Sequence, residues 1–412
     1  MRILVVSQYF WPENFKINDF VLGMKEMGHS VTVFTGKPNY PSGKYFKGYN
    51  FFNRRKENFK EIKVIRSPLI TRGNGSGFRL TLNYFSFALF SSISAIFRIR
   101  EKFDLIFVYE PSPITVGIPA IILKRKLGIP IFFWVQDLWP ESLEAAGNIR
   151  NKRILNLVNK LVIIIYRYSD RIFISSRSFE GSLMKKNVVS SKIVYYPNWA
   201  EDIYLSGSIN TSKYSGIMPD GFKIMFAGNI GNSQDFEAIV MAANLLKSNK
   251  KLHWVIIGDG RKKEWLQSEV EKHNLSTNFH ILGSFPREEM ADLFYHCDTM
   301  LVTLKDSEIF RLTVPAKIQS YLAFGKPVLA MMNGEGAEII EKANAGLTCE
   351  AGNYRKLAAN IEHLWSMEKD NLIKMGDNGR QYYFNNFSRL TLFKKFEDVY
   401  INFQEDELSK KL

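Results

Sequence analysis

The chain has 412 residues, too many for one typical core, so two domains are expected. Its composition is ordinary for a globular protein, 46% hydrophobic and 23% charged. Its two distant cysteines, Cys297 and Cys349, give no disulfide framework, and its six histidines form no HExxH-type cluster, so no structural or catalytic zinc is expected.

The opening run, MRILVVSQYFWPE, turns from a short apolar stretch straight into Pro-Glu. It does not read as a signal peptide. Short β-rich runs then recur at 2–10, 29–36, 62–68, 104–111, 130–137 and 171–176, each bounded by turn residues and separated by stretches long enough for crossovers. This is the pattern of a parallel sheet wrapped by helices. The stretch 78–102 is rich in Phe, Leu and Ile, with Arg79 near one end and Arg98, Arg100 and Lys102 at the other. Two readings stand: a membrane-surface helix, or a crossover helix buried against the sheet. Nowhere do eighteen charge-free apolar residues carry the flanks of a membrane span, so a soluble or peripheral protein is expected.

Residues 199–222 carry Ser, Gly, Pro, Asn and Asp without periodicity and read as an interdomain linker. The strand pattern restarts at 223–228, 253–258, 279–283, 300–304 and 326–332. Over 233–248, Phe236, Ile239, Val240 and Ala243 share one helix face, with Ser233 as its expected cap. The segment from about 386 reads as a helix returning to the first domain. The expected division is 1–198, a linker at 199–222, 223–385, and a C-terminal helix at 386–412. The fold class is α/β: two Rossmann-like, doubly wound domains facing across a cleft. Ligands of such sheets lie beyond the carboxyl ends of the strands.

Charge separates the halves. Residues 1–200 hold 30 basic and 13 acidic side chains, a balance of +17; residues 201–412 hold 25 and 28, a balance of −3. Only the first half is suited to an anionic surface: lipid head groups, a polyprenyl diphosphate or nucleic acid.

Four loops could carry chemistry. In Gly228–Asp235 (GNIGNSQD), Gly228 and Gly231 let the backbone approach a ligand, and a helix start offers free N–H groups to phosphate. Gly258, Asp259 and Gly260 form a second such loop. Each alone is equally an ordinary turn; two on neighbouring strands point to a phosphate or nucleotide site. In 306–330, Pro315 can open a helix whose first turn holds Lys317. A cation there opposes the helix dipole unless an anion is near, which suits a lysine reaching for a diphosphate. Arg311 precedes it, and Gly334 and Gly336 follow the next strand. In 136–143 (QDLWPESL), Asp137 is placed either to orient an acceptor hydroxyl or to cap the next helix.

The runs QYFWPE, VQDLWPESL, YYPNWA, FAGNIGNSQ and TVPAKIQSYLAFGKPVLA stand in the order and spacing of glycosyltransferase family 4, which the chain resembles over nearly its whole length. Within it, the resemblance is to the WbuB-type N-acetyl-L-fucosamine transferases of O-antigen and capsule biosynthesis. That resemblance implies a GT-B fold, a UDP-sugar donor held by the second domain as a substrate rather than a cofactor, and retention at the anomeric carbon with no metal. It also implies an acceptor sugar on undecaprenyl diphosphate, and, with the basic first half, an anionic membrane surface on the cytoplasmic face. Donor-site residues would be Gly228, Asn229, Gly231, Gly258, Asp259, Gly260, Phe285 near the base, Arg311, Lys317, Ser320, Gly334, Glu335 and Gly336. Asp137, Lys317 and Glu335 would act at the reacting centre.

The chain departs from the family where Asn229 and Gln234 replace a basic pair, and where Leu312 and Ser320 replace two glutamates. A sugar-nucleotide epimerase or hydrolase on the same fold would need acid-base groups that the loops do not offer. A nucleic-acid-binding role would leave the phosphate loops unused, and no basic-aromatic module is present. An oxidoreductase lacks GxGxxG after the first strand.

Overall fold

The computed structural model describes residues 1–145, 149, 151–205 and 209–409. The chain forms two compact units, Met1–Tyr196 and Pro197–Leu412.

The first unit is built on an eight-stranded sheet. Its strands are β1 (Arg2–Ser7), β2 (Ser30–Thr35), β3 (Lys56–Phe59), β4 (Ile62–Arg66), β5 (Leu105–Glu110), β6 (Ile131–Val135), β7 (Arg171–Ile174) and β8 (Ile193–Tyr195). Their order is β3-β4-β2-β1-β5-β6-β7-β8. Every pair is parallel except β3 with β4. β5 and β6 are buried along their whole lengths, which is why they read as unbroken apolar runs rather than alternations. Phe20, Phe107, Trp134 and Phe173 form the aromatic centre of this core. Gly117 starts the helix Gly117–Leu127, where an added Cβ would lie 2.6 Å from the Ile165 side chain, so the helix Lys152–Tyr168 packs close against it.

The helix Gly77–Arg98 corrects one expectation. By length and composition it could cross a membrane, with a mean hydropathy of 1.5 over its most apolar stretch, only 33% of it buried. Interspersed Ser, Thr and Asn hide this from a search for unbroken apolar residues. Phe78, Phe85, Leu89, Ile93, Ile96 and Phe97 are exposed along it, while Asn83, Phe87, Ser91 and Ala95 are buried. The helix is therefore both a crossover and an apolar surface.

The second unit has a six-stranded, all-parallel sheet. Its strands are β9 (Phe222–Ala227), β10 (Leu252–Ile257), β11 (Phe279–Gly283), β12 (Thr299–Thr303), β13 (Val328–Met331) and β14 (Gly346–Cys349), in the order β11-β10-β9-β12-β13-β14. This is the doubly wound order, with its switch between β9 and β12. Trp254, Phe226, Phe236 and Leu357 lie in its core. The helix at 233–248 is observed as Phe236–Leu246, and Asp235 in left-handed conformation, not Ser233, stands at its cap. Ser233 lies instead in a preceding 3-10 turn, where its carbonyl accepts from the Lys305 N–H.

Of the expected linker 199–222, residues 206–208 lie outside the described residues, and the rest group with the second unit. Short turns form at Asp202–Tyr204 and Ser215–Ile217. Tyr204 stacks on Phe294 with ring centroids 5.2 Å apart, and the Asn210 N–H donates to Asp292 at 2.8 Å. The non-periodic sequence serves packing through single anchors rather than a regular face. The final helix, Arg389–Ser409, groups with the second unit, and its Phe393 meets Trp199 edge-on. Residues 410–412 of the expected C-terminal helix lie outside the described residues.

Candidate functional site

In the second unit, a cavity of about 510 Å³ opens beyond the carboxyl ends of the strands. Its wall includes Gly228 after β9, Gly258 and Asp259 after β10, Ser284 and Phe285 after β11, and Lys317, Ser320 and Tyr321 on the helix Ala316–Phe324. That helix begins directly after Pro315, so Lys317 occupies its first turn. Tyr321 is tied to β9: its hydroxyl lies 3.2 Å from the Ala227 N–H and 3.3 Å from the Ala227 carbonyl.

The backbone at the two loop starts favours glycine. A Cβ on Gly258 would stand 1.9 Å from the Gly228 carbonyl oxygen, and one on Gly228 would stand 2.6 Å from Lys317 Cε. Both residues have positive φ, +139° and +144°. The Lys317 amine lies over the Phe226 ring, 3.6 Å from its centroid, and 3.5 Å from Gln234 Oε1. Burial pushes its ammonium down to about 7. A cation so desolvated, beside glycine backbone and at a helix start, is prepared for an anion that would restore its charge.

The site residues expected from sequence divide into groups. Gly228, Asn229, Gly258, Asp259, Phe285, Lys317 and Ser320 all line this cavity. Gly231 and Gly260 do not. They shape the loops from behind, since a Cβ at Gly260 would meet the Ile230 carbonyl oxygen at 2.3 Å and one at Gly231 the Asn229 amide at 2.4 Å. Arg311 requires a correction. It pairs with both oxygens of Asp306 at 2.7 Å and lines a separate, open cavity with Asn333 and Glu350. Its nearest charge is a carboxylate five residues away, which sequence spacing could not reveal. Gly334, Glu335 and Gly336 line neither cavity. A Cβ at Gly334 would meet the Arg311 carbonyl oxygen at 1.9 Å, and Gly336 packs on Met332 and Ile318. Glu335 is buried at the start of the helix Glu335–Lys342.

Sequence reasoning missed Glu201, Tyr204, Met290 and Phe294, which complete the cavity wall. The first two fall in the supposed linker. The one available signal was the pair of large residues in AEDIY, unusual for a solvated connection.

The first unit carries a second set of polar groups beyond its strands. Glu110 ends β5 at the switch between β1 and β5 and is fully buried. Neither of its carboxyl oxygens completes a hydrogen bond among the described residues, although the Trp139 indole lies beside it. Desolvation, then the charge of Asp137, holds Glu110 protonated well above the usual carboxylate range. Asp137 follows β6, and burial raises it to about 7. It lies four residues before the helix Glu141–Ala145, too far to be its cap. Glu13 is also buried. It accepts from the Asn39 and Tyr40 N–H groups at 2.8 Å and from the Phe10 N–H at 3.2 Å, clamping the loops after β1 and β2 together. Desolvation outweighs these bonds and raises it to about 7.

Comparison with known proteins agrees with this architecture. Residues 16–199 match the glycosyl transferase 4-like domain, and residues 209–382 match the glycosyl transferases group 1 family. The chain is 29% identical over 354 residues to a probable glycosyltransferase, WbjE, of Pseudomonas aeruginosa, covering 82% of each chain. It is 26% identical over 339 residues to the putative colanic acid biosynthesis glycosyl transferase WcaI of Escherichia coli K12, covering 79% of this chain and 82% of that one. Among solved structures, Anabaena HepE in complex with UDP superposes with a TM-score of 0.69 at 12% identity, over 98% of this chain and all of the other. With a 4-like domain followed by a group 1 domain, each built on its own parallel sheet, this protein is a glycosyltransferase of the GT-B fold.

Proposed function

We propose that the protein moves a sugar from a UDP-sugar to a sugar carried on undecaprenyl diphosphate, with retention at the anomeric carbon, in O-antigen or capsule biosynthesis. The observation that carries this reading is the Lys317 amine, desolvated over Phe226 and pressed against Gly228 at the mouth of a nucleotide-sized cavity. The donor diphosphate lies against Lys317 and the Gly228 and Gly258 backbone. As the bond to the sugar breaks, charge grows on the leaving diphosphate, and the ammonium and the helix start stabilise it. Phe285 and Met290 flank the base. Asp137 orients the acceptor hydroxyl, and a donor phosphate oxygen takes its proton. N-acetyl-L-fucosamine is the first sugar to try, and the polysaccharide context is supported by the colanic acid relative.

The acceptor's lipid calls for a membrane. The exposed apolar face of Gly77–Arg98 and the +17 balance of residues 1–200 support a peripheral position on the cytoplasmic face of an anionic bilayer. Sedimentation with anionic liposomes, and release by salt, tests that position; equal binding to neutral liposomes would count against the charge argument.

The decisive experiment is transfer from a panel of UDP-sugars to a lipid-diphosphate-linked acceptor. Product with one donor is expected. Consumption of UDP-sugar without any acceptor would favour an epimerase or hydrolase instead.

A further inference from the structure

The phosphate end of the cavity is marked by Lys317, and the base end by Phe285 and Met290. Between them the wall must meet a ribose, whose two hydroxyls require hydrogen-bond partners when water is displaced. Ser320, one helical turn beyond Lys317, is a poor candidate, because its hydroxyl turns back to the Ala316 carbonyl of its own helix at 3.4 Å. Tyr204 lies next to Ser320, its ring stacked on Phe294. The Tyr204 N–H donates to the Glu201 carbonyl at 3.1 Å, so one tight turn carries both residues to the cavity wall. The Glu201 carboxylate is ion-paired with Arg287, which stands between Phe285 and Met290 in the chain. Glu201 thus sits on the wall between the Ser320 side and the base side.

We infer that Glu201 is the ribose-binding residue of this site, accepting the hydroxyls of the donor nucleotide on a carboxylate that Arg287 holds in place. A carboxylate is suited to this, since its two oxygens can accept from both members of a vicinal diol. Doubly wound nucleotide sites commonly use an acidic residue on a ribose for this reason. The arrangement is unusual in its source. The carboxylate comes from the segment that precedes the first strand of the nucleotide-binding sheet rather than from a loop following one of its strands. Tyr204 contributes the packing surface that fixes the turn against Phe294. Glu201 makes no bond to the reacting sugar and acts by positioning the nucleotide.

The inference rests on the nucleotide reading above, and its test separates the two. The full-length protein is titrated calorimetrically with UDP and with 2′,3′-dideoxy-UDP, which lacks both hydroxyls. The wild type is expected to bind UDP about 10- to 100-fold more tightly, the range for a hydrogen bond to a charged group. Glu201→Gln should weaken UDP to near the dideoxy level and leave 2′,3′-dideoxy-UDP almost unchanged. Glu201→Asp keeps the charge and the ion pair but shortens the reach, and should give an intermediate preference with wild-type melting temperature. Equal losses for both nucleotides would mean that Glu201 only braces the wall, and would overturn the inference. So would a variant that keeps the full wild-type preference. Failure of the wild type to bind UDP at all would instead overturn the nucleotide reading, and this inference with it.

Discussion

The two sheets end in opposite chemistry. Beyond the second sheet a lysine is pushed down to about 7; beyond the first, Asp137 and Glu13 are pushed up to about 7, and Glu110 is raised well above its usual range. In each case desolvation is the leading cause. The difference lies in what surrounds the group. Lys317 faces an open cavity floored by glycine backbone, where a ligand can supply the missing charge. Glu110 is enclosed and shares its surroundings with another carboxyl, so neutralisation by a proton is its remaining option. One doubly wound plan therefore holds a cation ready for an anion on one sheet and carboxyls ready for a proton on the other.

The strongest way to break this contrast is to remove the cation. Lys317→Ala should lower the rate of transfer by about 10²- to 10³-fold, the cost of losing one group that stabilises developing charge. The melting temperature should hardly change, because the amine packs on a ring rather than closing an ion pair. A near-wild-type rate would refute its role.

Next comes the opposite charge. Asp137→Asn should reduce turnover by about 10²-fold if the carboxylate orients the acceptor hydroxyl. The pH profile sharpens the comparison further. Asp137 must be ionised and Lys317 protonated, and both change near 7, so wild-type kcat/KM should peak close to neutrality. The rising limb should vanish in Asp137→Asn. The falling limb should vanish in Lys317→Arg, whose guanidinium stays charged. For the same reason, UDP binding at pH 8 should take up a proton, detectable by calorimetry in buffers of different ionisation enthalpy.

A smaller effect is expected at Gly228. Alanine there would displace the flexible end of Lys317 and hold a strained φ, costing about 1–3 kcal/mol. Donor KM should rise several-fold with a modest loss of melting temperature. Unchanged kinetics would show that the amine need not rest where it does.

The smallest effect concerns stability. Because the folded state raises the Glu110 pKa, its contribution is fully present below about 4.5 and is lost as pH rises through the folded value. Glu110→Gln stays neutral throughout. Its melting temperature relative to wild type should therefore climb between pH 5 and pH 8; a constant difference would show that Glu110 is not held protonated.

Much of the fold was legible because buried parallel strands leave apolar runs at regular intervals. Short strands without such runs were not: β3, β8 and β14 went unread because they are only partly buried and three or four residues long. In the site, the glycine loops and Lys317 were readable from local rules, since a turn and a helix start have a signature within a few residues. Arg311 misled because its partner, Asp306, is chosen by a side-chain conformation. Glu201 and Glu13 were invisible for a different reason. Each acts across a long separation, Glu201 with Arg287 and Glu13 with Asn39, and nothing in a neighbouring residue announces that.

The interlock of Gly258 with Gly228, and of Gly228 with Lys317, bears on how such an enzyme can diversify. A side chain at Gly258 would meet backbone, and one at Gly228 would displace the amine of Lys317 and hold a strained φ. Selection for a new donor, in nature or in a mutant library, is thereby steered away from the phosphate loops. Variation is left to the walls around Phe285, Met290 and Tyr204, where side chains can be exchanged one at a time.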